Sequence, residues 1–238
     1  MLRRIEEELR STGNLDDSNH ADVINKILKQ RGKDIPVTGY GSSEKKVYVS
    51  RFNPETLEKL EQAGFFVYTL TGSSISELME AGKPIIDSAK NSSEKFGWDY
   101  SRESFFEDVS KAVEVAVKPN TFLLPGSNAW PWWDWPKRIS HFSEQINLKT
   151  GAFAVMGRVN QYAELAILHL EKTGEKLFDQ NQHIITSTPA DDAGSMRNNF
   201  ATVGPFDESG NLYIRSENRD PLGRSFAIAA LVTPIPNI

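Results

Sequence analysis

Four of the five tryptophans fall within Trp130-Pro131-Trp132-Trp133-Asp134-Trp135-Pro136. An indole offers a broad apolar face and one N–H donor, and tryptophan is enriched among the residues that carry the energy of protein interfaces. Prolines at 131 and 136 hold the path extended. Successive side chains of an extended chain point to opposite sides, so a single packing surface does not easily cover all four rings. The spacing predicts contact chemistry, with Trp130, Trp132, Trp133 and Trp135 binding a protein partner or a second copy of the chain. The competing reading is a rigid plug whose rings fill a groove between helices.

A second set of residues suits anions. Thr71-Gly72-Ser73-Ser74 joins a strand candidate to a helix start, where unpaired backbone N–H groups and the positive end of the helix dipole meet. In open α/β sheets ligands bind beyond the carboxyl ends of strands, and Ser50, Arg51 and Asn53 leave a neighbouring strand candidate there. Arg51, Thr71, Gly72, Ser73 and Ser74 are therefore the candidate site for a small anionic or phosphorylated ligand. Arg158 would join them if 152–156 were a parallel strand of that sheet. Ser73 and Ser74 are also ordinary helix caps, which need no ligand.

The histidines make weaker sets. Asp134, Arg138, His141 and Glu144 have helical spacing, and a histidine among carboxylates is the minimal apparatus of acid–base catalysis, but such pairs also line ordinary solvated helix faces. His183 is followed by Asp191 and Asp192 at a spacing that matches no metal-ligand pattern. His20 and His169 lie on helix candidates. Walker, dinucleotide-glycine, Gly-x-Ser-x-Gly, His-Glu-x-x-His, EF-hand and kinase signatures are absent from the sequence.

These groups need elements to hold them. Asn53 as N-cap, Pro54 at the first helical position, Leu57, Leu60 and Ala63 on one face and Gly64 as stop predict a helix. Phe65-Phe66-Val67-Tyr68-Thr69-Leu70 predicts a buried strand, and with a strand at 47–50 it forms a parallel β-α-β unit. Ser74 and Glu77 form a capping box for the next helix, which Gly82 and Pro84 end, so that 47–81 reads β-α-β-α. Residues 82–103 read as an exposed connection and 104–118 as a helix, capped by Ser104 with Glu107. Further helices are expected at 136–147 and 160–173, and a strand at 152–156. Strands are expected at 183–188, 200–206, 211–216 and 225–232, with the last three joined as a C-terminal antiparallel meander. Leu2, Ile5 and Leu9, and then 18–31, read as two N-terminal helices.

Composition bounds the function. The chain has 238 residues, 27 Lys plus Arg against 32 Asp plus Glu, a net charge of −5 and no cysteine. No basic stripe exists to displace counterions from nucleic acid, and thiolate chemistry, disulfides and cysteine-ligated metals are excluded. The longest apolar run, Phe226 to Val232, is seven residues, too short to span a membrane. The first residues, Met1-Leu2-Arg3-Arg4-Ile5 followed by Glu6, Glu7 and Glu8, lack a signal-type apolar core, so the expected location is cytoplasmic.

The expectation is an α+β fold: a mixed sheet with an N-terminal parallel β-α-β-α unit and a C-terminal antiparallel meander, plus N-terminal helices. Residues 1–31 are the helical extension and 32–238 a single domain. The expected function is non-catalytic binding or assembly through 130–135, with no cofactor, metal, nucleic acid or membrane involved. The alternative is an enzyme or sensor of a small anionic molecule at loops 50–53 and 71–74.

Overall fold

The computed structural model describes residues 49–87, 104–119, 122–127, 134–177, 182–190, 199–218 and 226–234, all within one compact unit spanning Thr38–Ile238. The expected helices within 1–31 lie outside the described residues.

The fold is α+β. Helix α1 (Pro54–Gln62) starts where expected, with the Asn53 side chain accepting from the Thr56 amide at 2.8 Å and Pro54 in the first turn. Strand β1 (Phe66–Leu70) follows, then helix α2 (Ile75–Glu80), on which Ser74 and Glu77 cap each other reciprocally. Helix α3 (Trp135–Thr150), strand β4 (Phe153–Val155) and helix α4 (Val159–Thr173) also fall where the sequence places them.

Three expectations for residues 47–118 are corrected. First, β1 has an antiparallel partner in place of the expected parallel one. Its partner is strand β3 (Val113–Val117), antiparallel, with Phe66 opposite Val117 and Leu70 opposite Val113, while Ser50 makes a single parallel bridge to Val113. Second, the helix expected over 104–118 is a 3₁₀ turn (Ser104–Glu107) followed by β3. The Ser104 and Glu107 signal starts one turn, but Val113-Glu114-Val115-Ala116-Val117 is β-branched at every second position, which suits a pleated surface better than a helix. Third, Ile85–Asp87, inside the expected connection, is strand β2.

The C-terminal strands are β5 (His183–Pro189), β6 (Asn199–Phe206), β7 (Leu212–Asn218), β8 (Phe226–Ile228) and β9 (Leu231–Thr233). The expected meander holds for β6 and β7, which pair antiparallel with Asp207 accepting from the Asn211 amide at their turn, and β5 adds antiparallel on the far side of β6. The run 225–232 does not extend it: β8 pairs parallel with β5, and β9 crosses into the other sheet. One sheet has the order β1-β3-β9-β4 with antiparallel neighbours throughout, and the mixed one has the order β2-β7-β6-β5-β8.

Alternation along the strands gives two core layers. Val115, Val117, Ile184, Ala227 and Leu231 pack with Tyr162, Leu165 and Ala166 of α4, whereas Ala116, Ile185, Ile228 and Val232 pack with Leu60 of α1 and Ile139 and Ile146 of α3. α4 is thus the helix that carries one face of the core. Its polar residues are accordingly forced either to find partners or to lie at the rim.

Candidate functional site

The Thr71–Ser74 loop is an anion cradle whose anion belongs to the chain. Glu164, on the buried face of α4 and 1% exposed, accepts from the Thr71 amide at 2.8 Å, the Thr71 hydroxyl at 2.7 Å and the Gly72 amide at 3.2 Å. The Ser73 amide turns back to the Thr71 hydroxyl at 3.3 Å and the Ser74 amide goes to Glu77 at 2.9 Å, so each amide from 71 to 74 has an internal acceptor. Burial pushes the Glu164 carboxyl above its ordinary value, against the opposing pull of the Thr71 and Gly72 donors and of Lys83. Asn160, one turn earlier on α4 and fully buried, donates to the Gly72 and Ser73 carbonyls at 3.1 and 3.0 Å and to Ser110 at 3.2 Å. Gly72 is required here: its φ is +78°, and a Cβ would stand 2.2 Å from the Ser110 carbonyl oxygen.

The amides of Thr71, Gly72, Ser73 and Ser74, expected together with Arg51 to receive a ligand, are thus taken up by the chain's own acceptors in this structure. Arg51 faces Glu114, at 3.6 Å, whose other oxygen accepts from the Phe52 amide. Arg158, which β4 carries into the N-terminus of α4, forms a two-pronged pair with Asp108. β4 is antiparallel to its neighbour β9, so the parallel arrangement that would have aimed Arg158 at the loop is not formed.

The other candidate sets are only partly described. Arg138 pairs with Asp134 at 4.0 Å, and His141 meets Gln145 at 3.1 Å on the exposed face of α3. His183 is held in the sheet against Gly204, where a Cβ would come 2.7 Å from its ring, and burial together with Arg215 lowers its pKa to about 4. Asp191 and Asp192 lie outside the described residues. Among the described residues no three His, Asp or Glu side chains could hold a metal ion, and no helix is long and apolar enough to cross a membrane. Of the tryptophans, Trp130, Trp132 and Trp133 lie outside the described residues. Trp135 is not an exposed contact: it is 6% exposed and packs edge-on to Phe200 with ring centroids 5.5 Å apart.

The structure instead opens a groove at β1. It is shallow and largely open to solvent, about 350 Å³ in extent, and is lined by Val67, Tyr68 and Thr69 of β1 and by Leu168, Glu171 and Lys172 of α4. Side chains of consecutive strand residues point to opposite faces, so a space touched by 67, 68 and 69 together reaches the edge of the strand. The inner edge is taken by β3; the groove runs along the outer one, which has no strand partner among the described residues. Beneath it the Tyr68 hydroxyl meets His169 Nδ1 at 2.6 Å, and Phe66, 44% exposed, sets its ring edge-on to His169. Above it the Lys172 ammonium sits 5.0 Å from the centre of the Tyr68 ring. Glu171 is held by Lys83 at 2.6 Å.

The sequence reading missed Glu164, Asn160 and this groove. A carboxylate inside Tyr162-Ala163-Glu164-Leu165-Ala166-Ile167 is the signal that was available for the first, since an acid amid apolar residues on a core helix must meet donors. Comparison with known proteins finds no matching family model, no matching curated protein and no matching solved structure.

Proposed function

We propose that the protein is a non-catalytic binding or assembly protein that receives an extended segment of a protein partner on the outer edge of β1. The observation that carries this reading is the edge itself. Strand edges expose unpaired N–H and C=O groups, and natural sheets blunt them with short strands, charges, prolines or bulges. The other three sheet edges, β2, β4 and β8, are three residues long, whereas β1 has five residues, Phe-Val-Tyr-Thr-Leu, with neither charge nor proline. A groove between such an edge and a helix is the setting in which a peptide adds as a further strand, main-chain bonds giving affinity and alternate side-chain pockets giving specificity.

The test leaves the protein untouched. Peptides are selected from a random library on the full chain, and the amides of the best binder are then N-methylated in two alternating sets. Strand addition uses one set only, so one methylated form should lose binding and the other keep it. Equal effects of both sets, or binding that leaves amide exchange at 66–70 unchanged, would overturn the reading. We extend the same partner role to Trp130, Trp132 and Trp133 on the sequence argument alone, with the quenching measurement given in the Discussion as its test.

A further inference from the structure

Resting on that docking reading, we infer that the segment bound along β1 presents a carboxylate to Lys172. The charges lining the groove are Glu171 and Lys172, and Glu171 is already neutralised by Lys83 at 2.6 Å. Lys172 makes no ion pair among the described residues. Its ammonium is placed over the Tyr68 ring, 5.0 Å from the centroid, where the ring quadrupole orients the cation without cancelling its charge. A strand laid along β1 displaces water from that ammonium. A cation that loses water without gaining an anion is penalised, so a neutral segment is disfavoured and a basic one is repelled. The position of Lys172 in the last turn of α4 is favourable to the helix in its own right, but that stabilisation is already present in the free protein and does not offset the water lost on docking.

The carboxylate is that of an Asp or Glu side chain within the bound strand, because Lys172 stands over Tyr68, the middle residue of β1, and not at an end of it. The ¹⁵N-labelled full chain is titrated with a capped peptide Thr-Val-Thr-Glu-Thr-Val-Thr, with its Gln and Lys versions, and with the Gln version left with a free C-terminal carboxylate. The expected result is that the Glu peptide shifts the amides of 66–70 and binds about tenfold more tightly than the capped Gln version, with the Lys version weakest. Lys172→Gln should abolish that preference and leave the residual Gln binding in place, and Lys172→Glu should turn the preference toward the Lys peptide. If the free-terminus peptide gains and the internal Glu peptide does not, the carboxylate is that of a chain end and the inference is overturned. Equal binding of Glu, Gln and Lys peptides at β1 overturns the carboxylate and leaves the docking reading standing. If none of the peptides moves 66–70, the docking reading falls as well. If the same amides shift with protein concentration alone, the occupant is a second copy and the inference is overturned.

Discussion

Replacing Glu164 tests whether the Thr71–Ser74 loop is closed by the chain's own carboxylate. Three donors converge on that carboxylate. In Glu164→Ala the Thr71 hydroxyl can turn to Ser73, 3.0 Å away, but the amides of Thr71 and Gly72 lose their acceptor. An orphaned buried amide costs about 1–3 kcal/mol, so two cost ~2–6. The carboxylate takes its own desolvation penalty with it, which places the net in the lower half, about 2–3 kcal/mol. Glu164→Gln keeps one acceptor oxygen and turns an NH₂ toward the other donor, for a loss of ~1–2 kcal/mol. Urea unfolding at pH 7, followed by circular dichroism, reads both, and the Ala variant should melt roughly 4–12 °C lower. A loss under ~0.5 kcal/mol in Glu164→Ala, within the range of ordinary surface changes, would refute the keystone role.

The pH dependence has a fixed sign. Burial raises the Glu164 carboxyl above its ordinary value of 4.5, so between that value and the folded-state value the native protein holds a proton that the unfolded chain has released. The contribution is fully present below 4.5 and is lost as pH rises through the folded value. Glu164→Gln, which cannot titrate, should remove that fall from the stability profile.

Gly72→Ala forces a side chain into a left-handed conformation and onto the Ser110 carbonyl, and should cost ~2–5 kcal/mol by the same unfolding measurement. His183 behaves oppositely to Glu164: with its pKa lowered from 6.5 to about 4, the unfolded chain takes up a proton first, so stability falls as pH drops through that window. The loss reaches at most ~3 kcal/mol, and His183→Gln should flatten it in a pH series of denaturant midpoints. Trp135→Ala, which empties a buried site against Phe200, should cost about 3–5 kcal/mol. Acrylamide quenching of the Trp98→Phe chain should show a shielded component from Trp135 and an accessible one from at least two of Trp130, Trp132 and Trp133. Uniform shielding in a chain shown to be monomeric would withdraw the partner role from all three.

Local chemistry was the legible part of the sequence. Asn53-Pro54 and the Ser74 and Glu77 box are signals within a few residues of the termini they set, and α1 and α2 start where those signals put them, whereas α3 runs past the expected end at 147 to a left-handed cap at Gly151. Pairing was less legible because it depends on residues far apart. Phe66–Leu70 reads as a strand under any partner, and nothing within it says that the partner is Val113–Val117, antiparallel, rather than a strand just before it. The region 104–118 failed through conflict between two local signals, a capping box that starts one turn and a β-branched alternation that ends it. At the loop the sequence disclosed the donors, since Thr71-Gly72-Ser73 before a helix is a run of free amides, but the acceptor lies 93 residues from Thr71. Sequence spacing alone therefore predicts an anion there, without saying whether it is a ligand or the chain's own side chain.

That distinction bears on how the β1 groove works. α4 is tied to β1 and the loop after it by three buried polar contacts in succession: Asn160 to Gly72 and Ser73, Glu164 to Thr71 and Gly72, and His169 to Tyr68. Each restricts the distance between the helix and the strand, which are the two walls of the groove. A site whose walls are fixed before the partner arrives loses little further freedom on binding, so more of its contact energy is left as affinity. Glu164 touches nothing that a segment on β1 would touch, yet removing it loosens one wall. A binder of the β1 edge should therefore weaken with Glu164→Gln, chiefly by leaving faster, whereas Lys172→Gln should change its preference for charge while the fold keeps its stability. If Glu164→Gln lowers stability and leaves the dissociation rate unchanged, the polar contacts of α4 serve the fold alone, and the groove is shaped by the apolar packing of Leu165 and Ala166 beneath it.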